Sequence, residues 1–181
     1  MGNLTLAAAA IGNKVLFAGG MGHSNQTGGF FSSRVDIYDI STGAWSTAEL
    51  SEARSELYAA AAGNKIIFAG GRKSNLASGQ SKVVDIYDVS TGQWSAATLS
   101  DNREGTSIAV LGNKILIAGG YSTDYLSSVD VYDVTTGQWE KLELSVARMD
   151  GAAAGINNEL LVADGFDKTG FSKTVDIFQL K

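Results

Sequence analysis

The chain has 181 residues, 44% hydrophobic and 18% charged, enough for one folded domain with a real core and too apolar for a disordered segment. Fourteen Lys and Arg against 19 Asp and Glu leave a net charge of −5, so the overall field that draws nucleic acid or an anionic membrane is missing. With no Cys and one His, disulfides, thiolate metal centres, Cys nucleophiles and multi-His metal sites are excluded within one chain, and no cofactor is expected.

Residues 4–11 open the chain as an apolar, Ala-rich stretch with no basic residue before it. It matches later internal segments, so it reads as part of the fold and not as a signal peptide. No run approaches the ~18 consecutive apolar residues of a membrane helix. The expectation is a soluble chain, with its compartment left open. A Gly-Asn hairpin turn follows and opens GNKVLFAGG at Gly12. Residues 21–34 form a polar and aromatic loop. VDIYDISTGAW then runs from Val35, a strand, a Ser-Thr-Gly turn in which Asp39 can accept local backbone hydrogen bonds, and a strand opened by Trp45.

The same series returns three times. GNKIIFAGG begins at Gly63, GNKILIAGG at Gly112 and NNELLVADG at Asn157, and VD strings follow from Val84, Val129 and Val175. The second Gly of each pair falls at 20, 71, 120 and 165, giving periods of 51, 49 and 45. All the variation lies between the Gly pair and VD, in residues 21–34, 72–83, 121–128 and 166–174. A constant framework with one variable loop per unit is the pattern of a scaffold that presents a surface. Residues 51–62, SEARSELYAAAA, carry a competing helical signal, but the repeat register makes their end a strand. Each complete unit thus holds four short strands, and units of 45–51 residues point to the blades of a propeller. Small residues at 8–10, 59–62 and 152–154 suit crowded inner strands, while Trp45, Trp94 and Trp139 read as core where blades splay outward.

Strand ending in Gly-Gly, Tyr-Asp strand and following Trp together resemble the kelch repeat, over essentially the whole chain. The resemblance implies an all-β, kelch-type β-propeller: a single domain or partial propeller with about four blades, approximately 3–50, 54–99, 103–144 and 148–181. Three blades are expected to be complete and four-stranded, the last to lack its outer strand. Ile40, Val89 and Val134 stand where kelch repeats often carry Pro, and the last unit reads Asp164-Gly165 and Phe178-Gln179. Fewer units than such propellers usually have points to a fragment or to a homo-oligomer, a dimer closing a larger ring. Near-identity of the units also fits an engineered repeat array with no natural ligand.

The resemblance implies a non-enzymatic binding module. Arg54, Arg103 and Arg148 recur nine residues before Gly63, Gly112 and Asn157, with Asn3 in the same place in the first unit. In kelch substrate adaptors, arginines at matching positions line a pocket for acidic peptides, so these three are candidate binding residues for a protein or peptide ligand; the alternative is that each pairs with a Glu or a backbone carbonyl and fixes blade packing. His23, Arg72 and Tyr125 are further candidates on the variable loops, whose aromatic and Asn/Asp content also allows carbohydrate. Asp36, Asp85, Asp130 and Asp176 recur in VD but alternate with Val and Ile in separate blades, which suits backbone donors or cross-strand partners and not a metal. Copper-oxidase chemistry of the kelch type needs His ligands and a Cys, and no catalytic constellation stands out.

Overall fold

The computed structural model describes residues 5–24 and 28–179. The first unit contributes β1 (Ala7–Ile11), β2 (Lys14–Ala18), a hairpin of β3 (Met21–Ser24) and β4 (Gly28–Phe31), then β5 (Arg34–Asp39) and β6 (Ala44–Glu49). The second holds β7 (Tyr58–Ala62), β8 (Lys65–Ala69), β9 (Val83–Asp88) and β10 (Gln93–Thr98). The third holds β11 (Ser107–Leu111), β12 (Lys114–Ala118), β13 (Ser128–Asp133) and β14 (Trp139–Glu143). The fourth has β15 (Ala152–Ile156), β16 (Glu159–Ala163), a short hairpin of β17 (Phe166–Asp167) and β18 (Gly170–Phe171), and β19 (Val175–Gln179). Every main pairing is an antiparallel meander, giving three four-stranded sheets and one of three strands, β15-β16-β19. The segment 51–62 ends in strand β7, as the repeat register requires.

Two residues link Ile11 to Lys14, Ala62 to Lys65 and Leu111 to Lys114, so the Gly-Asn turns fix the register of each inner hairpin. At the same end of the molecule the Asp39 carboxylate accepts from the Ser41 amide at 2.8 Å and from Lys14 Nζ at 2.7 Å. Asp88 repeats this with Ser90 and Lys65, and Asp133 with Thr135 and Lys114. The Lys14 and Lys65 ammonium groups, then the Ser hydroxyls, hold Asp39 and Asp88 well below the usual carboxylate range.

Successive sheets pack face to face through three apolar cores. Along each strand alternate residues point to opposite faces. One face of the first sheet, with Leu16, Ala18, Val35 and Ile37, meets Ile66, Phe68, Tyr87 and Trp94 of the second. The next boundary repeats this with Ile67, Ala69, Val84 and Ile86 against Ile115, Ile117, Tyr132 and Trp139. The third sets Leu116, Ala118, Val129 and Val131 against Leu160, Val162 and Phe178. Trp94 and Trp139 are half-buried at these boundaries, but Trp45 is 62% exposed, which corrects its assignment to the core. Its sheet has no neighbour on that side among the described residues.

The Gly pairs stitch the sheets at the opposite end from the turns. Gly20, Gly71 and Gly120 donate their amides to the carbonyls of Arg54, Arg103 and Arg148 in the next unit, at 2.8, 2.9 and 2.8 Å. At Gly71 φ is +89°, and a Cβ there would lie 2.3 Å from the Ser55 carbonyl oxygen. The close approach of two backbones therefore admits only Gly.

Candidate functional site

The variable loops and the approaches to the inner strands occupy one rim. Ser55 bridges to Arg72, Glu104 to Tyr121, and Met149 to Phe166, so each approach is zipped to the loop of its own unit. The sequence reading placed both on the same rim, but not the pairing or the small hairpins β3–β4 and β17–β18.

The three repeated arginines do not line an open mouth. Arg54 and Arg103 are 0% exposed, and Arg148 is buried. Arg54 donates to the carbonyls of Gly70 and Val83 and to Asp85. Arg103 donates to the carbonyls of Gly119 and Ser128 and, at 2.9 Å, to Asp130. Arg148 donates to the Val162 carbonyl and lies 2.8 Å from Asp176. Arg54 and Arg103 thus satisfy carbonyls at the second and third strands of their own sheets, Arg148 those of Val146 and of Val162 on the second strand, and each guanidinium neutralises the VD aspartate. The same aspartates accept from the amides of Ser51, Ser100 and Ser145. An ion pair this deep keeps its charges because each end is both paired and hydrogen-bonded, although Arg103 Nε and Arg148 Nε are buried without a hydrogen-bond partner. Burial pulls Arg54 and Arg103 below the usual guanidinium range, with the nearby carboxylates opposing it. The expectation of a ligand-facing Arg ring is corrected: these residues are blade staples.

The other predicted residues fall on the rim itself. Arg72, with 20% of its side chain exposed, donates to both Glu104 oxygens at 2.7 and 2.6 Å and to the Leu76 carbonyl. Tyr125 is half-buried, edge-on to Tyr121 with ring centroids 5.6 Å apart. The backbone of His23 pairs with Gly29 in the β3–β4 hairpin, and its side chain lies outside the described residues. Phe30, Leu76 and Phe171 project from the loops of three units; Phe171 is 81% exposed.

Inside this rim lies a cleft of about 380 Å³ lined by all four units. Thr5, Glu56, Gly105 and Asp150, each two residues after the repeated Arg position, share one left-handed backbone conformation, with φ of +58°, +53°, +60° and +53°. Such a φ costs a non-Gly residue about 1 kcal/mol or more and marks a site held in place by its surroundings. Here the Glu56 amide donates to the Thr5 carbonyl and the Asp150 amide to that of Gly105, tying units together at the cleft floor. Glu56, Glu104 and Asp150 make the cleft acidic. Arg72 answers Glu104, whereas Glu56 and Asp150 have no ion-pair partner among the described residues. Burial, with the charges of Glu104 and Asp150 outweighing Arg72, pushes the Glu56 carboxyl up. Burial and the charges of Asp150, Glu56 and Glu104 push the Tyr58 phenol up to about 12. Sequence reasoning missed these residues, although their fixed distance from the repeated Arg was a usable signal. Among the described residues no group of three or more His, Cys, Asp or Glu is arranged to hold a metal ion.

Repeated antiparallel sheets packed side by side, with their long loops gathered at one rim, define the architecture of a β-propeller. The profile of the KLHDC2/KLHL20/DRC7 Kelch-repeats domain matches residues 5–181, and the chain belongs to the kelch-repeat family. No curated protein matches the chain. Kelch-repeat domains are generally non-catalytic interaction and scaffold modules. No helix among the described residues is long and apolar enough to cross a membrane.

Proposed function

We propose that this chain is a non-enzymatic binding propeller that takes a protein segment across its loop-bearing rim, seating a Lys or Arg of that segment in the acidic cleft. The observation that carries the reading is the pair of carboxylates in the rim cleft, Glu56 and Asp150, which have no ion-pair partner among the described residues. A bound ammonium or guanidinium would offset the partial burial and the repulsion from Glu104 and Asp150 that raise the Glu56 carboxyl, at side chains that the rim leaves accessible. The exposed Phe30, Leu76 and Phe171 add apolar anchors around it, of the kind that carry most of the energy in protein interfaces. This reverses the charge expected of the ligand, since the arginines that suggested an acidic peptide are consumed inside the sheets. The same negative cleft disfavours nucleic acid. Self-association belongs to a different surface, the flanks of the sheet stack.

Fluorescence anisotropy with labelled lysine-rich and glutamate-rich peptides of equal length tests the reading. The lysine peptide binds, binding weakens as salt rises, and Glu56→Gln combined with Asp150→Asn weakens it tenfold or more. Preferential binding of the glutamate peptide, or a lysine peptide indifferent to the double substitution, overturns the cleft as the site.

A further inference from the structure

The two outer faces of the sheet stack are copies of faces that are buried elsewhere in the same molecule. In the first sheet Ala8, Ala10, Val15, Phe17 and Tyr38 share the face that points away from the second sheet. Their repeat equivalents in the second sheet, Ala59, Ala61, Ile66, Phe68 and Tyr87, are the residues that pack on the first. In the fourth sheet Ala154, Leu161, Ala163, Val175 and Ile177 share the outward face. Their equivalents in the first sheet, Ala9, Leu16, Ala18, Val35 and Ile37, are the residues that receive the second. Leu16 and Val35 are fully buried, whereas Val175 and Ile177 are 52% and 55% exposed.

We propose that a second copy of this chain packs head to tail on these flanks, the Phe17–Tyr38 face of one copy against the Val175–Ile177 face of the other. The argument is continuity with an interface already present three times in the molecule. Residue types, strand register and face are those of the packed boundaries, so the surface each flank complements is the opposite flank of the same sequence. A face-to-face pairing of two identical flanks would instead set aromatic against aromatic, a boundary the molecule does not use. A head-to-tail contact either closes into a ring or grows without limit. Two copies supply about eight sheets, within the range of about four to eight blades at which propellers close. The assembly therefore closes at two copies. This inference is independent of what the rim binds.

Sedimentation velocity on the chain and on two single variants, Ala10→Glu and Ile177→Glu, tests it. Both positions are exposed, so the fold should persist, and far-UV circular dichroism with a thermal melt checks that it does. The unmodified chain sediments at the mass of two copies. Each variant alone falls to one copy, because every contact then includes a spoiled flank. A one-copy mass for the unmodified chain at high micromolar concentration, or a variant that stays paired, overturns the proposal. If Ala10→Glu fails to fold, Val15→Lys replaces it with the same expected outcomes.

Discussion

The first and second sheets carry nearly the same residues and use them differently. Tyr38 and Trp45 stack with ring centroids 4.8 Å apart, as Tyr87 and Trp94 do at 5.0 Å, yet Trp45 faces solvent and Trp94 packs against the neighbouring sheet. Asp36 is paired with Arg34 on the outward face of its strand, with side chains 39% and 63% accessible, whereas Asp85 is buried against Arg54. The tryptophans differ because another sheet stands beyond Trp94 and none beyond Trp45 among the described residues, and the aspartates differ because the first unit carries Asn3 where the second carries Arg54. A hydrogen-bonded pair or a stacked ring has one value in a wall between blades and another on a flank.

The largest effect should come from the aspartates. Asp85→Ala leaves the Arg54 guanidinium buried beside two carbonyls with its charge unanswered, and should cost about 3–5 kcal/mol in urea unfolding. Asp36→Ala removes an exposed pair and should cost no more than about 1 kcal/mol. Equal losses would show that the Arg54 wall is not what holds the second sheet. Next in size is the Trp pair. Trp94→Ala should cost about 2–3 kcal/mol, below the full-burial range because the ring is only partly covered. Trp45→Ala, measured on dilute protein where copies are apart, should stay within about 0.5 kcal/mol.

What the sequence made readable is what the fold repeats without regard to neighbours. Gly-Asn turns and Gly pairs recur in three units and VD in four, so several noisy readings become one clear one. Asp39, Asp88 and Asp133 were legible as turn acceptors because their donors lie two or three residues away. Trp45 was not legible as a surface residue, because nothing within its own unit distinguishes it from Trp94. The arginines were ambiguous for a related reason. A repeated Arg beside a rim suits either a ring or a set of walls, and only the three-dimensional approach of Asp85, Asp130 and Asp176 decides. The cleft was hidden because Thr5, Glu56, Gly105 and Asp150 share a backbone conformation and not a side-chain type.

The turn aspartates and the cleft should also part on acidification. Asp39 and Asp88 have depressed carboxyls, so the stability they contribute is present above the ordinary carboxylate pKa and disappears as pH falls below it. Asp88→Asn should therefore weaken the protein at pH 7, and the gap to the parent should narrow in strong acid when urea midpoints are compared.

Glu56 runs the other way and gives the smallest change. Its carboxyl is raised, so the folded chain holds a proton that the unfolded chain has released, and stability rises as pH falls through the folded value toward the unfolded one. Glu56→Gln removes the repulsion with Glu104 and Asp150 and should raise stability at pH 7 by up to about 0.5 kcal/mol while weakening a cationic peptide. Near pH 4 the two proteins should melt together, because the parent carboxyl is by then largely neutral in both states. A residue that serves packing would lose stability on substitution at either pH. A gain in stability at pH 7 coupled to a loss of lysine-peptide binding is the signature of a charge kept in the cleft for a ligand, against the interest of the fold.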